Sequence, residues 1–383
     1  MTSDIRHKYH SFLADYITNP GKMQIRPFDK KYEIWYSVSK ELIFHAQIRQ
    51  PETEDLLYSG KGKTIFLILP TPGCSWALGP SGGCTMCSYI SDCYLKPIEN
   101  SKIIELFEKE LSKWDYKEDY ENGDKIAIKL FASGSFLNPE EVPKEARDYV
   151  LKKLANMDEI SEIVVESRPE YVKEEVLDEI FDIIGDKLFE ISIGLETSNE
   201  ETRLNKINKG FNNKTFEKAI NLIKEYKTKH NIKSKAYIFV KPILLSEQEA
   251  IDEAIETASY CENLGVDRVS CCPATIHRGT LIERLWRRGS YNPPWIWSTI
   301  EVINTIRQNV KIPALMDTSG FGSRRGPYNC KKCNKELKHR IIDSNFDQSQ
   351  IEYDCECKKE WIAEVKFSDL NKSKTPIKHL PLY

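Results

Sequence analysis

The sequence predicts an α/β protein built on a partial, TIM-like (β/α)6 barrel, preceded by an N-terminal extension and followed by a small metal-binding domain. Three features carry this. Six short apolar runs alternate with helix-patterned stretches between residues 63 and 315. The runs are nearly continuous rather than alternating, as in strands buried on both faces of a parallel sheet. Beyond a glycine-rich break, four of the eleven cysteines stand in two close pairs.

The first strand is predicted at 63–70, ending at a proline, and is followed by a Gly/Pro/Cys loop. Ile103, Leu106, Phe107, Leu111 and Trp114 then recur at helical spacing. Further strands are expected at 125–131, 160–166, 188–194, 234–240 and 266–271. Helices are expected from about 143 to 157, 171 to 184 (ending at Gly185), 214 to 228 and 246 to 263, with helical material from 281 to 308. Ser246, with Glu249 three residues on, is a capping-box signal. Six right-handed units fit a partial barrel, with a doubly wound open sheet as the alternative that periodicity leaves open. Either way the chemistry belongs at the C-terminal strand ends, in the loops after 70, 131, 166, 194, 241 and 271.

This gives three regions: an extension over 1–62, the barrel over 63–315 and a C-terminal domain over 316–383. The break at 320–327 is rich in Gly. From residue 320 onward 13 Lys and Arg face 9 Asp and Glu, a net +4 on a chain of 383 residues whose total is −3. That balance excludes a protein coating nucleic acid over its whole surface. No apolar run approaches the roughly 20 residues of a membrane span, and the polar N-terminus shows no secretory signal, so a cytoplasmic protein without membrane contact is expected. In such a chain, clustered cysteines point to metal rather than to a disulfide framework.

Cys74, Cys84 and Cys87 form C-x9-C-x2-C in the loop after the first strand. Three thiolates bind a four-iron cluster and leave one iron open to a cofactor or substrate. The glycines before Cys84 let backbone wrap a bulky group. A zinc knuckle completed by Cys93 is the alternative, disfavoured because Cys93 lies six residues past Cys87.

With that loop on the first of six strand–helix units, the chain resembles the radical S-adenosylmethionine (SAM) enzymes, in the branch of the Elongator catalytic subunit, over about residues 60–310. More narrowly, it is similar to the radical subunit family of archaeosine synthase. The likeness is carried by Gly73-Cys-Ser, Gly83-Cys-Thr-Met-Cys87-Ser-Tyr-Ile, Ala132-Ser-Gly-Ser-Phe136, Glu166-Ser-Arg-Pro-Glu170, Ile193-Gly-Leu-Glu-Thr-Ser198, Lys209-Gly-Phe211, Lys241-Pro242 and Gly326-Pro327-Tyr-Asn-Cys330. The resemblance implies a 4Fe-4S cluster and SAM bound to its open iron. Met86 then packs beside the adenine. Ser133, Gly134 and Ser135 stand where relatives commonly carry Gly-Gly-Glu for the methionine amine, here without the carboxylate, so a plain turn is equally expected.

Arg168 suits a carboxylate or phosphate, or an ion pair with Glu170 or Glu196. Glu196 suits ribose hydroxyls. Lys241 suits a carboxylate, or is a surface lysine. Cys93, Cys261, Cys271 and Cys272 lack ligand spacing. Cys261 reads as a buried core residue, and Cys271 and Cys272 as core with a minor prospect of substrate contact.

Cys330, Cys333, Cys355 and Cys357 form C-x2-C-x21-C-x-C, two knuckles separated by a span that can form a hairpin, suited to tetrahedral zinc, with His339 able to replace one cysteine. Arg324, Arg325, Lys331, Lys332, Lys335, Lys338 and Arg340 are opposed locally by Glu336 alone. That patch suits tRNA phosphates, with Tyr328, Tyr353 and Trp361 available for stacking or for packing.

The resemblance implies a tRNA-modifying radical enzyme that cleaves the carbon–nitrogen bond of a lysine adduct on a 7-deazaguanine nucleotide of the tRNA D-arm, giving archaeosine. It further implies a lysine-transferring partner subunit, an external electron donor and an archaeal cytoplasm. Alternatives are methylthio or carboxymethyl transfer to tRNA, or a non-catalytic iron–sulfur or zinc RNA-binding protein.

Overall fold

A computed structural model of the chain describes residues 52–94, 97–114 and 116–372. Residues 1–51, most of the expected extension, and 373–383 lie outside the described residues. The strands are β1 Glu52–Leu57, β2 Gly60–Ile68, β3 Ile126–Phe131, β4 Ile160–Ser167, β5 Leu188–Glu196, β6 Ile232–Val240, β7 Arg268–Pro273 and β8 Ala314–Met316. The main helices are α1 Asn100–Leu111, α2 Lys144–Ala155, α3 Glu174–Ile184, α4 Asn213–Tyr226, α5 Glu247–Leu264, α6 Leu281–Arg287, α7 Ile296–Asn309, α8 Asn334–Asp347 and α9 Lys358–Lys372.

The sheet order follows the chain, β1 to β8, without reversal. A doubly wound sheet reverses at a switch point, so that alternative falls and the fold is the partial (β/α)6 barrel type. β1 pairs antiparallel with β2, while β2–β3, β3–β4, β6–β7 and β7–β8 are parallel. Two strands escaped sequence reasoning. β1, Glu-Thr-Glu-Asp-Leu-Leu, lacks an apolar run; its Asp55 accepts from Thr64 and from Lys129 Nζ, so the acid is paired. β8 has three residues, too few to show a period.

The chain divides into two compact units, Met1–Ser192 with Leu222–Lys233, and Ile193–Asn221 with Ser234–Tyr383. In the first, five of the six residues of β3 are buried. Leu177, Ile180, Phe181 and Ile184 bury one face of α3, which packs on α2. Gly185 ends α3 at φ 59°. In the second, the capping box forms as expected: Glu249 N donates to Ser246 Oγ and Ser246 N to Glu249 Oε2. α5 packs on α7 and α9.

The span between the tail cysteine pairs, which could have formed a hairpin, carries a helix, α8. Leu337, Ile341 and Ser344 are buried at i, i+4 and i+7, the helical period, and α8 packs on β8. Among the described residues no helix is long and apolar enough to cross a membrane.

Candidate functional site

In the first unit, Cys74 stands between β2 and a helical turn, with its carbonyl accepting from Ala77 N and Leu78 N at 3.0 Å. The chain bends at Gly73, Gly82 and Gly83, all at positive φ. At Gly83 a Cβ would meet that of Ala77 at 2.8 Å, so the loop closes on itself only with glycine there. Cys74, Cys84 and Cys87 are each half-buried. Cys93 is 2% exposed; its thiol donates to Tyr89 O at 3.1 Å and packs beside Gly73, where a Cβ would fall 3.0 Å from its sulfur. A three-thiol donor set on a glycine-bent loop fits a 4Fe-4S cluster with one iron left open.

Sequence reasoning missed what holds this loop. Glu141, 1% exposed, accepts from Ser75 N at 2.9 Å, Ser75 Oγ at 2.6 Å, Asn138 Nδ2 at 3.0 Å and Ser135 N. One carboxylate therefore ties the residue after Cys74 to the loop after β3. Ser133-Gly134-Ser135 is the turn wrapped around it, with Ser133 at φ 50°. A Cβ on Gly134 would sit 2.0 Å from Glu141 Oε2 and 3.2 Å from Cys74 Cα, so only glycine admits this approach. Burial, with the Glu141 charge adding to it, pushes the Cys74 thiol above its ordinary range. Asn138-Pro-Glu-Glu141 after the second predicted strand was the available signal, six residues beyond the position read for a carboxylate.

Arg168, at the end of β4, joins the same group. Its N–H donates to Ser135 Oγ at 3.2 Å, its guanidinium stacks 5.0 Å from the Trp76 ring, and its Nε donates to Glu170 at 2.5 Å. The ion pair with Glu170 weighed from sequence is present. Met86 is half-buried in the cysteine loop.

In the second unit, Glu196 at the end of β5 pairs with Lys209 at 2.7 Å. The pair lies close against Gly194, where a Cβ would fall 2.6 Å from Lys209 Nζ and 2.7 Å from Glu196 Oε1. Arg203, wholly buried, braces the loop by donating to Thr197 O, Phe211 O and Asn213 Oδ1. Lys241, at the end of β6, pairs with Glu247, and its carbonyl accepts from Tyr291 at 2.6 Å. Among the described non-glycine residues six have positive φ; Ser133, Glu196 and Lys241 are three of them, each just past or ending a strand. Such backbone costs about 1–3 kcal/mol per residue and gathers at functional sites.

Cys261 and Cys271 are fully buried, and burial drives the Cys271 thiol up to about 12, so both are core residues. Cys272 is half-buried with its thiol toward Ser270 O.

In the tail, the sulfurs of Cys330, Cys333, Cys355 and Cys357 all lie within 4.8 Å of one another. The separations of Cys330–Cys333, Cys330–Cys355 and Cys333–Cys357 are 3.4, 3.7 and 3.7 Å. Four thiolates about 2.3 Å from one ion, placed tetrahedrally, stand about 3.8 Å apart, so the set fits a single tetrahedral metal. Burial would raise the Cys330 thiol, but N–H groups of Cys333 and Lys332 and the Cys333 thiol outweigh it and hold it at about 7. His339 is exposed on α8 and is not one of the four.

The basic run is smaller than its sequence suggested. Arg325 donates to Glu283 at 2.7 Å and to Ile276 O, and Arg340 pairs with Glu336 at 2.8 Å. Arg324, Lys331, Lys332 and Lys335 are exposed. Of the three aromatics, Trp361 is 8% exposed and packs, while Tyr328 and Tyr353 are half-buried.

A three-thiol loop after the first parallel strand of a partial (β/α)6 barrel is the arrangement by which the chain resembles the radical SAM class. No protein-family model matches the chain. It is 35% identical over 331 residues to archaeosine synthase subunit beta of Methanosarcina acetivorans, covering 84% of this chain and 90% of that one. It is 38% identical over 282 residues to the same subunit of Thermococcus kodakarensis, covering 73% and 83%. An uncharacterized protein of Methanocaldococcus jannaschii is 42% identical over 316 residues, covering 81% and 84%. Among solved structures, the archaeal Methanocaldococcus infernus Elp3 with an N-terminal deletion gives a TM-score of 0.46 at 15% identity, covering 63% and 59%. Methylornithine synthase gives 0.45 at 12%, covering 89% and 88%. The chain belongs to the archaeosine synthase subunit beta family.

Proposed function

We propose that this radical SAM enzyme cleaves the carbon–nitrogen bond of a lysine adduct on a 7-deazaguanine nucleotide in the tRNA D-arm, leaving the amidine of archaeosine. The observation that carries the reading is the three-thiol loop clamped by Glu141 in a chain so similar to archaeosine synthase subunit beta. Cys74, Cys84 and Cys87 would hold a 4Fe-4S cluster. When bound, cluster and SAM supply a 5′-deoxyadenosyl radical on receipt of one electron from an external donor.

The chain's own residues bind and orient. Glu141 fixes the loop; Met86, Ser133, Gly134, Ser135 and Arg168 line the cofactor side, with Arg168 presenting positive charge to a carboxylate. Glu196 accepts hydroxyl protons in hydrogen bonds, and Lys241 faces an anionic group of cofactor or substrate. Their strained, braced backbones pre-set these positions.

The domain over 316–383, with zinc on its four cysteines, anchors tRNA through Arg324, Lys331, Lys332 and Lys335, while residues 1–62 form a separate extension. The name subunit beta supports a partner, which attaches the lysine. Anaerobic reconstitution with iron, sulfide, SAM and dithionite should yield 5′-deoxyadenosine, and with tRNA carrying the lysine adduct, archaeosine. No 5′-deoxyadenosine from fully loaded protein rejects the radical assignment; turnover on tRNA lacking the adduct rejects the substrate.

A further inference from the structure

A continuous run of buried hydrogen bonds joins Lys241 to the tail's thiol cluster, all within the second unit. Glu247, 2% exposed, takes Lys241 Nζ on one oxygen, and Trp295 N at 2.8 Å and Ser298 Oγ at 2.6 Å on the other. Ser298 Oγ, having donated to Glu247, accepts from Trp361 Nε1 at 2.8 Å. Trp361 lies one turn past Cys357, with its N–H on the Cys357 carbonyl. Beside Ser298, Trp297 closes a second link: its Nε1 donates to Cys357 Sγ at 3.3 Å, and its backbone N–H donates to Asn329 Oδ1, next to Cys330.

The start of α7 is therefore a junction. One side holds the carboxylate that fixes Lys241; the other is fixed by residues on and beside the metal-fitting thiols. An indole N–H on a ligand sulfur is the kind of outer contact that couples a metal to its surroundings. In a low-dielectric interior each bond polarises the next, so loss at one end is felt along the run. A cavity of about 190 Å³ lined by Trp297, Tyr353 and Trp361 lies against the junction, giving the indoles room to shift once released.

We infer that the tail's four-cysteine metal site sets the position of Lys241, acting through Trp361, Ser298 and the positioning residue Glu247. The C-terminal module is then part of the support of the active site as well as an RNA anchor. This rests on the reading of Lys241 as a group that binds cofactor or substrate.

The test is competitive amine labelling of the metal-loaded protein, with the rate at Lys241 followed by peptide mass spectrometry. Lys129, buried against Asp55 in the first unit, is the internal control. Glu247→Gln should raise Lys241 labelling roughly tenfold or more, since the bond lost is to a charged group. Trp361→Phe, which keeps the ring and removes the N–H, should raise it roughly threefold to tenfold with tail metal retained. Cys330→Ser with Cys333→Ser should raise it at least as far as Trp361→Phe, with Lys129 unchanged. Lys241 labelling at the wild-type rate in Trp361→Phe overturns the proposal, even if the double cysteine variant does not fold. A Lys241→Met variant with wild-type turnover would instead reject the assignment of Lys241 itself, a failure that labelling does not mimic.

Discussion

The two cysteine regions use one residue type for opposite ends. In the tail, four thiols converge to contacts of 3.4–3.7 Å, two of the four are buried, and they leave no ligand place open on a tetrahedral ion. In the loop after β2, three half-buried cysteines stand at C-x9-C-x2-C, and the next cysteine along the chain, Cys93, is buried with its thiol donating to Tyr89 O. Thiolates on separate irons of a cluster stand farther apart than thiolates around one ion, and three of them leave an iron open. The difference teaches that ligand count and the fate of the leftover cysteine, rather than cysteine density, separate a reactive centre from a structural one.

Exchanging a ligand in each region is the strongest way to break this comparison. Cys84→Ser should reduce 5′-deoxyadenosine formation to background and lower bound iron while the tail metal, read by elemental analysis, stays. Cys330→Ser with Cys333→Ser should do the reverse: iron retained, tail metal gone, and a lower melting temperature. Iron loss from the tail variant, with the protein folded, would show that the two centres do not divide the work in this way.

Glu141 sharpens the comparison, because the open loop is tied by a buried carboxylate 66 residues from Ser75. Glu141→Ala strands buried donors of Ser75 and Ser135. It should cost about 2–6 kcal/mol in denaturant unfolding, at about 1–3 kcal/mol for each of the two stranded residues. It should also lower the iron-to-protein ratio, with tail metal unchanged; Glu141→Gln, which keeps an acceptor, should recover part of both. Normal iron loading in Glu141→Ala would remove its clamping role.

The smallest effect concerns the segment leading into the tail. Burial alone would raise the Glu283 carboxyl, but Arg325, the Gly279 N–H and Arg287 outweigh it and hold it at about 2. Its folded value is below the unfolded one of about 4.3, so its stabilisation is complete above that pH and disappears as pH falls through about 2. Arg325→Met should therefore cost about 1 kcal/mol more at neutral pH, solvent screening the pair, than it does near pH 2. A cost that does not change with pH would mean that packing of Arg325 on Trp286, not charge, holds the segment.

Much of the fold was legible because burial on both faces of a parallel sheet writes itself as apolar runs, and α5 announced itself through Ser246 and Glu249. The three-thiol loop and the tail pairs were legible because ligand spacing is local in sequence. β1 was hidden because its Asp55 is paired with Lys129 and hydrogen-bonded by Thr64, partners that no local pattern reveals. The span between the tail knuckles, which could have formed a hairpin, is a helix: spacing of the cysteines says nothing of the period between them, where Leu337 and Ile341 are buried at helical spacing.

The sequence alone, then, determined the class: how many units wind the sheet, which loop carries three soft ligands, and which segment carries four. Only the tertiary structure decided how those pieces are held. Glu141 lies 66 residues from Ser75, and Trp361 lies 63 from Ser298. Hydrogen bonds of that range depend on two buried groups arriving at one place, which composition and periodicity do not encode; burial then makes each partner obligatory, because a polar group stranded there costs more than the bond itself contributes.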